Sequence, residues 1–245
     1  PDQKGLVATI ASFLAQHEAN IVEFQETVAD GDARGGDGGR TFHARVLFQL
    51  DGASIAADEV APAFTPLARR FDMTWKVVFS DQRKKMGLLV SKFDHCLFDL
   101  LQRVKSGELN VEVPFVASNH PDLEPVARFF GVPWHHFPVT AATKPQQEAQ
   151  IRELADATGT DFLVMARYMQ ILSKDFLAHF PHRVINIHHS FLPAFIGGKP
   201  YHQAYARGVK LIGATAHFAT DDLDEGPIIE QDVARVHHAE TPDDL

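Results

Sequence analysis

Val184-Ile-Asn-Ile-His-His-Ser-Phe-Leu-Pro193 begins as an apolar, β-branched run and stops abruptly at polar residues ahead of a proline. That pattern predicts a buried strand over Arg183 to Ile187, with Asn186 and His188 delivered at its carboxyl end. Open α/β sheets build their ligand crevices at the carboxyl ends of strands, so the stretch implies a sheet with a site along one rim. A second stretch, His217-Phe-Ala-Thr-Asp-Asp-Leu-Asp-Glu-Gly-Pro227, places an acid, Asp224, on a loop between two strand-like runs. An amide, an imidazole and a carboxylate arriving from two strand ends can carry acyl-transfer chemistry without a cofactor.

Upstream of these stretches, short apolar runs alternate with helical stripes. Strands are expected over Met86 to Ser91, Val111 to Ser118, Trp134 to Val139 and Asp161 to Ala166. Helices fall between them: around Cys96 to Leu101, over Pro121 to Phe130, over Pro145 to Thr158 and near Ser173 to Phe180. Alternation at this spacing implies a Rossmann-like, mostly parallel sheet. After the first of these strands the chain reads Ser91-Lys-Phe-Asp-His95, which lacks the glycine fingerprint of a dinucleotide site.

The chain divides near residue 83, giving expected domains over 1–82 and 83–245. The first part reads as a helix from Gly5 to Ala19, strands over Asn20 to Val28 and Thr41 to Leu50, a helix from Glu59 to Phe71, and a last strand over Thr74 to Phe79. Residues 30–40 are glycine- and aspartate-rich turn chemistry, expected to form a mobile hairpin tip. The sum is an α+β unit that would be ferredoxin-like if one strand preceded residue 1.

Composition narrows the function classes. The 245 residues carry 23 Lys and Arg against 32 Asp and Glu, a net charge of −9, with no basic block. Nucleic-acid binding, which rests on phosphate neutralisation, is therefore not expected. No apolar run approaches the ~18 residues of a membrane span. Cys96 is the single cysteine, which excludes an intrachain disulfide and suits a reducing cytoplasm.

These residues carry a family resemblance. Residues 84–238 resemble the folate-dependent formyltransferase fold, and the whole chain resembles the formyltetrahydrofolate deformylase family. The matching strings are 184–195, Gly213-Ala-Thr-Ala-His-Phe218 continuing to Ile229, Met165-Ala-Arg-Tyr-Met-Gln-Ile-Leu172 and Val116-Ala-Ser-Asn-His120. Residues before 80 resemble an ACT regulatory domain. Against the family pattern the chain opens after a first ACT strand and stops before a closing helix and strand.

The resemblance implies hydrolysis of 10-formyltetrahydrofolate to formate and tetrahydrofolate, supplying formate for purine biosynthesis and balancing one-carbon pools. It implies Asn186, His188 and Asp224 as catalytic residues, with His188 held cationic by Asp224. Gln170, Ile171, Leu172, His189, His217, Ala219 and Thr220 would line the folate. An amino-acid effector would sit near Gly5, Asn20 and Ile21, a homo-oligomer is expected, and neither metal nor cofactor is called for. Two alternatives stay open. A formyltransferase acting on an amine acceptor would share the trio, but transformylases carry a phosphate cradle where this chain has Lys92-Phe-Asp-His-Cys96. A metal held by His188, His189 and His217 would change the chemistry. Composition alone does not separate Asp224 from Asp221, Asp222 and Glu225; only the family register does.

Overall fold

The computed structural model describes residues 2–30, 40–195, 199–242 and 244. It separates into two compact units, 1–82 and 83–245. The tip expected at 30–40 lies almost wholly outside the described residues.

In the first unit, helix α1 (Leu6–Gln16) leads into strands β1 (Asn20–Ala29) and β2 (Thr41–Gln49), followed by helix α2 (Ala57–Arg70). The strands form a two-stranded antiparallel sheet with an irregularity between Ile21 and Glu23. Phe13, Leu14 and Ala19 are its buried core, covered by Ile10, Ile21, Val46, Phe48, Phe64 and Leu67. Alternate residues of β2 (Phe42, Val46, Phe48) turn inward, as the period-two pattern predicts.

The expected strand at 74–79 is corrected. These residues alternate between half-buried and exposed, and Trp75 packs edge-on against Phe64 at 4.8 Å, yet they join no ladder among the described residues. Alternation needs only an apolar surface beneath one side; a strand also needs a neighbour's backbone groups.

The second unit is an α/β domain. In chain order it runs β3 (Lys84–Val90), α3 (His95–Ser106), β4 (Val111–Glu112), β5 (Val116–Ser118), α4 (Glu124–Phe130), β6 (Trp134–His136), α5 (Lys144–Thr158), β7 (Phe162–Met165) and α6 (Lys174–His179). It continues with β8 (Val184–His188), α7 (Pro200–Arg207), β9 (Leu211–Phe218) and β10 (Ile228–Arg235). The sheet order is β10-β9-β8-β7-β3-β5-β6, with β4 beside the start of β3. Pairs from β6 to β8 are parallel, and β9 and β10 are antiparallel additions. The single strand expected at 111–118 is two pieces, because Pro114 between them has no N–H to donate.

Alternation along the central strands loads both faces. Leu88 and Val90 join Leu97, Leu101, Leu123 and Ala127, so α3 and α4 cover one face. Leu89 and Leu163 join Ile151, Ala155, Phe176 and Leu177, so α5 and α6 cover the other. Gly87 lets these layers close: a Cβ there would lie 2.7 Å from both Leu163 and Phe115. From β3 the chain winds outward to β5 and β6, then returns to lay β7 on the opposite side of β3. The loops leaving β3 and β7 therefore diverge, and a crevice opens between them at the carboxyl ends.

Candidate active site

Asn186 and His188 lie two residues apart on β8, so their side chains share one face of the sheet. β9 runs antiparallel beside it and sets His217 directly opposite Asn186, and Thr215 opposite His188. The Asn186 amide nitrogen is 3.1 Å from His217 Nε2, and His217 Nδ1 is 3.0 Å from the Phe218 carbonyl. A carbonyl oxygen can only accept, so Nδ1 carries the hydrogen and Nε2 accepts from the Asn186 amide. That bond uses one amide hydrogen and leaves the second for another acceptor.

Asp224 completes the cluster from the loop between β9 and β10. Its Oδ1 is 3.3 Å from His188 Nδ1 and 3.9 Å from His217 Nε2, and its side chain is only 6% exposed. Phe218 N donates to the Pro227 carbonyl at 3.0 Å, closing the base of the loop. Gly226 makes that closure possible, since a Cβ there would fall 1.7 Å from the Phe218 oxygen. Asp221 instead faces outward and pairs with Lys174 at 2.8 Å, while Asp222 and Glu225 are exposed. Geometry thus separates Asp224 from its acidic neighbours. Thr215 fixes the turn after His189 by donating to the Ser190 carbonyl at 2.8 Å and accepting from Leu192 N at 3.0 Å.

The expected charge on His188 is corrected. Burial lowers its pKa below 6.5, outweighing the opposite pulls of Asp224 and the Phe195 backbone, and His217 adds to the lowering. His188 is therefore neutral at pH 7, and its Nε2 is buried without a hydrogen-bond partner. His189 is pushed down to about 4 by burial first, then by Arg167 and His188.

The 166–173 segment forms the other wall. Met169 N donates to Ser91 Oγ at 3.0 Å, and that hydroxyl donates to Asn119 at 2.7 Å. Gln147 donates to the Tyr168 hydroxyl at 2.8 Å, and Ser173 N donates to buried Glu148 at 2.9 Å. Gln170 is half-buried, Ile171 is exposed, and Leu172 turns into the core, leaving only its backbone for a ligand. The Ile171 carbonyl already accepts from Lys144, so one of its two lone pairs is taken. Ala219 packs against the same core and donates its N–H to the Val184 carbonyl at 2.9 Å; the Thr220 hydroxyl donates to the Asp222 carbonyl at 3.1 Å.

Sequence reasoning passed over Arg167, which lies two residues past the end of β7 and lays its guanidinium 5.0 Å over the Phe93 ring. The available signal was the one that singled out Asn186, a polar residue at the end of an apolar strand. Helix α7 was missed as well, although Pro200 opening it and Gly208 closing it mark both ends. Among the described residues no three His, Cys, Asp or Glu side chains are arranged to hold a metal ion. In the first unit Gly5 borders a cavity of about 520 Å3 with Leu6, Val28 and Phe42, whereas Asn20 and Ile21 do not line it. Asn20 faces Gln49 at 3.4 Å, and Ile21 packs on the core. No described helix is long and apolar enough to cross a membrane.

Residues 84–245 match the formyl transferase family model. Over all 245 residues the chain is 49% identical to a formyltetrahydrofolate deformylase of Synechocystis, covering 84% of that protein. The crystal structure of a formyltetrahydrofolate deformylase from Burkholderia mallei superposes with a TM-score of 0.89 at 48% identity, covering the whole chain and 84% of its own. A glycinamide ribonucleotide transformylase from Symbiobacterium toebii shares 35% identity and a TM-score of 0.63, over 69% of this chain and 82% of that one. The transformylase likeness stops short of the full chain, whereas the deformylase likeness runs from end to end, and the chain belongs to the formyltetrahydrofolate deformylase family.

Proposed function

We propose that the protein hydrolyses 10-formyltetrahydrofolate to formate and tetrahydrofolate, with water as nucleophile and neither metal nor cofactor. One observation carries this reading: in a chain nearly half identical to named deformylases, an amide, an imidazole and a carboxylate meet at the rim of the sheet. The remaining amide hydrogen of Asn186 donates to the formyl oxygen as charge builds on it, a bond worth roughly 3 kcal/mol in the transition state. In the neutral tautomer that carries its hydrogen on Nδ1, 3.3 Å from Asp224 Oδ1, His188 keeps a lone pair on Nε2. A water there gives up a proton as its oxygen adds to the formyl carbon, and the imidazolium formed is stabilised by Asp224. The proton passes to N10 as the carbon–nitrogen bond breaks. Segment 170–172, His189, Ala219 and Thr220 border the folate ring.

Transfer to an amine acceptor is the second reading, favoured by the shared transformylase fold. Against it, Lys92-Phe-Asp-His-Cys96 replaces a phosphate cradle. Purified protein incubated with 10-formyltetrahydrofolate and no amine decides between them: tetrahydrofolate forms under hydrolysis, and its absence overturns that reading. Asp224→Asn should fold and lose about a hundredfold in turnover. Activity should survive chelators.

The first unit reads as an ACT-type module, supported by its helix–strand–strand–helix order. A small amino-acid effector near Gly5 is the corresponding ligand, with Asn20 and Ile21 at the edge of its reach. The open edges of a two-stranded sheet favour pairing into a homo-oligomer. A net charge of −9 and one cysteine accord with a cytoplasmic enzyme that does not bind nucleic acid, serving one-carbon and purine metabolism.

A further inference from the structure

Hydrolysis of a formamide at neutral pH ends with an anion. Water oxygen bonds to the formyl carbon, the carbon–N10 bond breaks, N10 takes one of the water's two protons, the second is released to solvent, and formate departs with its negative charge. Asp224 stands 3.3 Å from His188 and the protein carries −9 overall, so formate meets repulsion wherever no local cation compensates. None of Asn186, His188 and His217 supplies a fixed charge of that kind, since His188 is neutral at rest.

Arg167 has the features of such a cation. It stands at the carboxyl end of β7 and reaches Phe93 in the loop after β3, so the stacked pair bridges the two loops that diverge at the crevice. Its backbone is left-handed, with φ 61°, a conformation that L-residues rarely adopt. The turn is pinned by Met169 N on Ser91. No carboxylate among the described residues pairs with Arg167. Its Nε is buried with no hydrogen-bond partner.

The surroundings are neutral. The charge of Arg167 acts on His189, which burial already lowers, and opposes the larger upward effect of burial at Tyr201 and Cys96, so it lies near the β8–α7 loop, helix α7 and helix α3 at once. Burial leaves His189 unprotonated and keeps the Tyr201 hydroxyl and Cys96 thiol protonated. The rings of His189 and Tyr201 stand 5.7 Å apart. Of these four groups Arg167 alone is charged at pH 7, and His189 is the immediate neighbour of His188.

Resting on the hydrolytic reading, we propose that Arg167 is the binding residue for the product carboxylate. Its guanidinium fork, steadied on the Phe93 ring, receives formate as it forms beside His188. A guanidinium suits this task because its parallel N–H groups match two carboxylate oxygens, which an ammonium does not.

The test measures formate binding without turnover, by titrating 13C-formate into wild-type protein, Arg167→Lys and Arg167→Gln. A lost charge-assisted pair predicts at least about tenfold weaker binding for Arg167→Gln, with Arg167→Lys between the two. Formate as a product inhibitor should weaken in the same order. Equal formate binding in Arg167→Gln, or no saturable binding in the wild type, overturns the proposal. A merely structural Arg167 would change melting temperature and KM together and leave formate binding alone. Should Arg167→Gln fail to fold, Phe93→Leu removes the supporting ring but keeps the charge; it should weaken formate binding, and unchanged binding counts against the site. Absence of hydrolysis by the wild type would defeat the enzymatic reading by itself, because the titration needs no substrate.

Discussion

Replacing Gly226 by alanine probes how tightly the acid is held. The added Cβ would lie 1.7 Å from the Phe218 oxygen, while real Cβ contacts essentially never fall below 3.0 Å, so the loop base must open by about 1.3 Å. The oxygen is backbone within β9, locked opposite Ile185 on β8, so the loop yields and the strand does not. Asp224, two residues earlier, moves with it and leaves the 3.3 Å contact with His188. A misplacement of about 1 Å at a reacting centre can cost on the order of a hundredfold in rate. Overpacking of this kind also costs about 1–3 kcal/mol of stability, which leaves a folded protein. The assay is kcat/KM for tetrahydrofolate formation, with circular dichroism to establish folding. The loss should come through Asp224, so adding Asp224→Asn to Gly226→Ala should cost far less than Asp224→Asn alone. Turnover within threefold of wild type, or full additivity of the two changes, would refute this account of the loop.

Two further expectations follow from the site. His217→Ala removes the acceptor that orients the Asn186 amide; kcat should fall by about tenfold or more with KM little changed, and an unchanged kcat would detach His217 from the reaction. His189 is held at about 4 in the folded protein against 6.5 in the unfolded chain, so the unfolded state binds the extra proton. Its contribution is whole above pH 6.5 and is lost as pH falls toward 4, amounting to at most ~3 kcal/mol before solvent screening reduces it. Denaturant melts at pH 7 and pH 5 should show His189→Gln losing less stability than wild type on acidification; identical losses would contradict the assignment.

The strands that frame the crevice were legible because they are buried on both faces. Leu88 to Val90 and Leu163 to Met165 read as continuous apolar runs, and Val184 to Ile187 as one broken only by Asn186. Boundaries set by partners were less visible. Pro114 splits one run into two strands, and Thr74 to Phe79 alternates without a ladder. At the site, residue identities were legible and electrostatics were not. The chain displays Asp224 as a counter-ion for His188, but desolvation of the imidazole depends on packing that sequence does not display. Arg167 and Phe93 are 74 positions apart, and only the winding order of the sheet brings them face to face.

Asn186 and His217 are rungs of one antiparallel ladder, facing each other across β8 and β9. A slip of one position would send these two side chains to opposite faces, so no half-assembled version of the pair exists. The amide and the imidazole that aims it are thus set when the sheet zips, before any folate arrives. Loops around the rim can lengthen or change composition without reopening that alignment, which leaves substrate preference free to vary while the central pairing stays put.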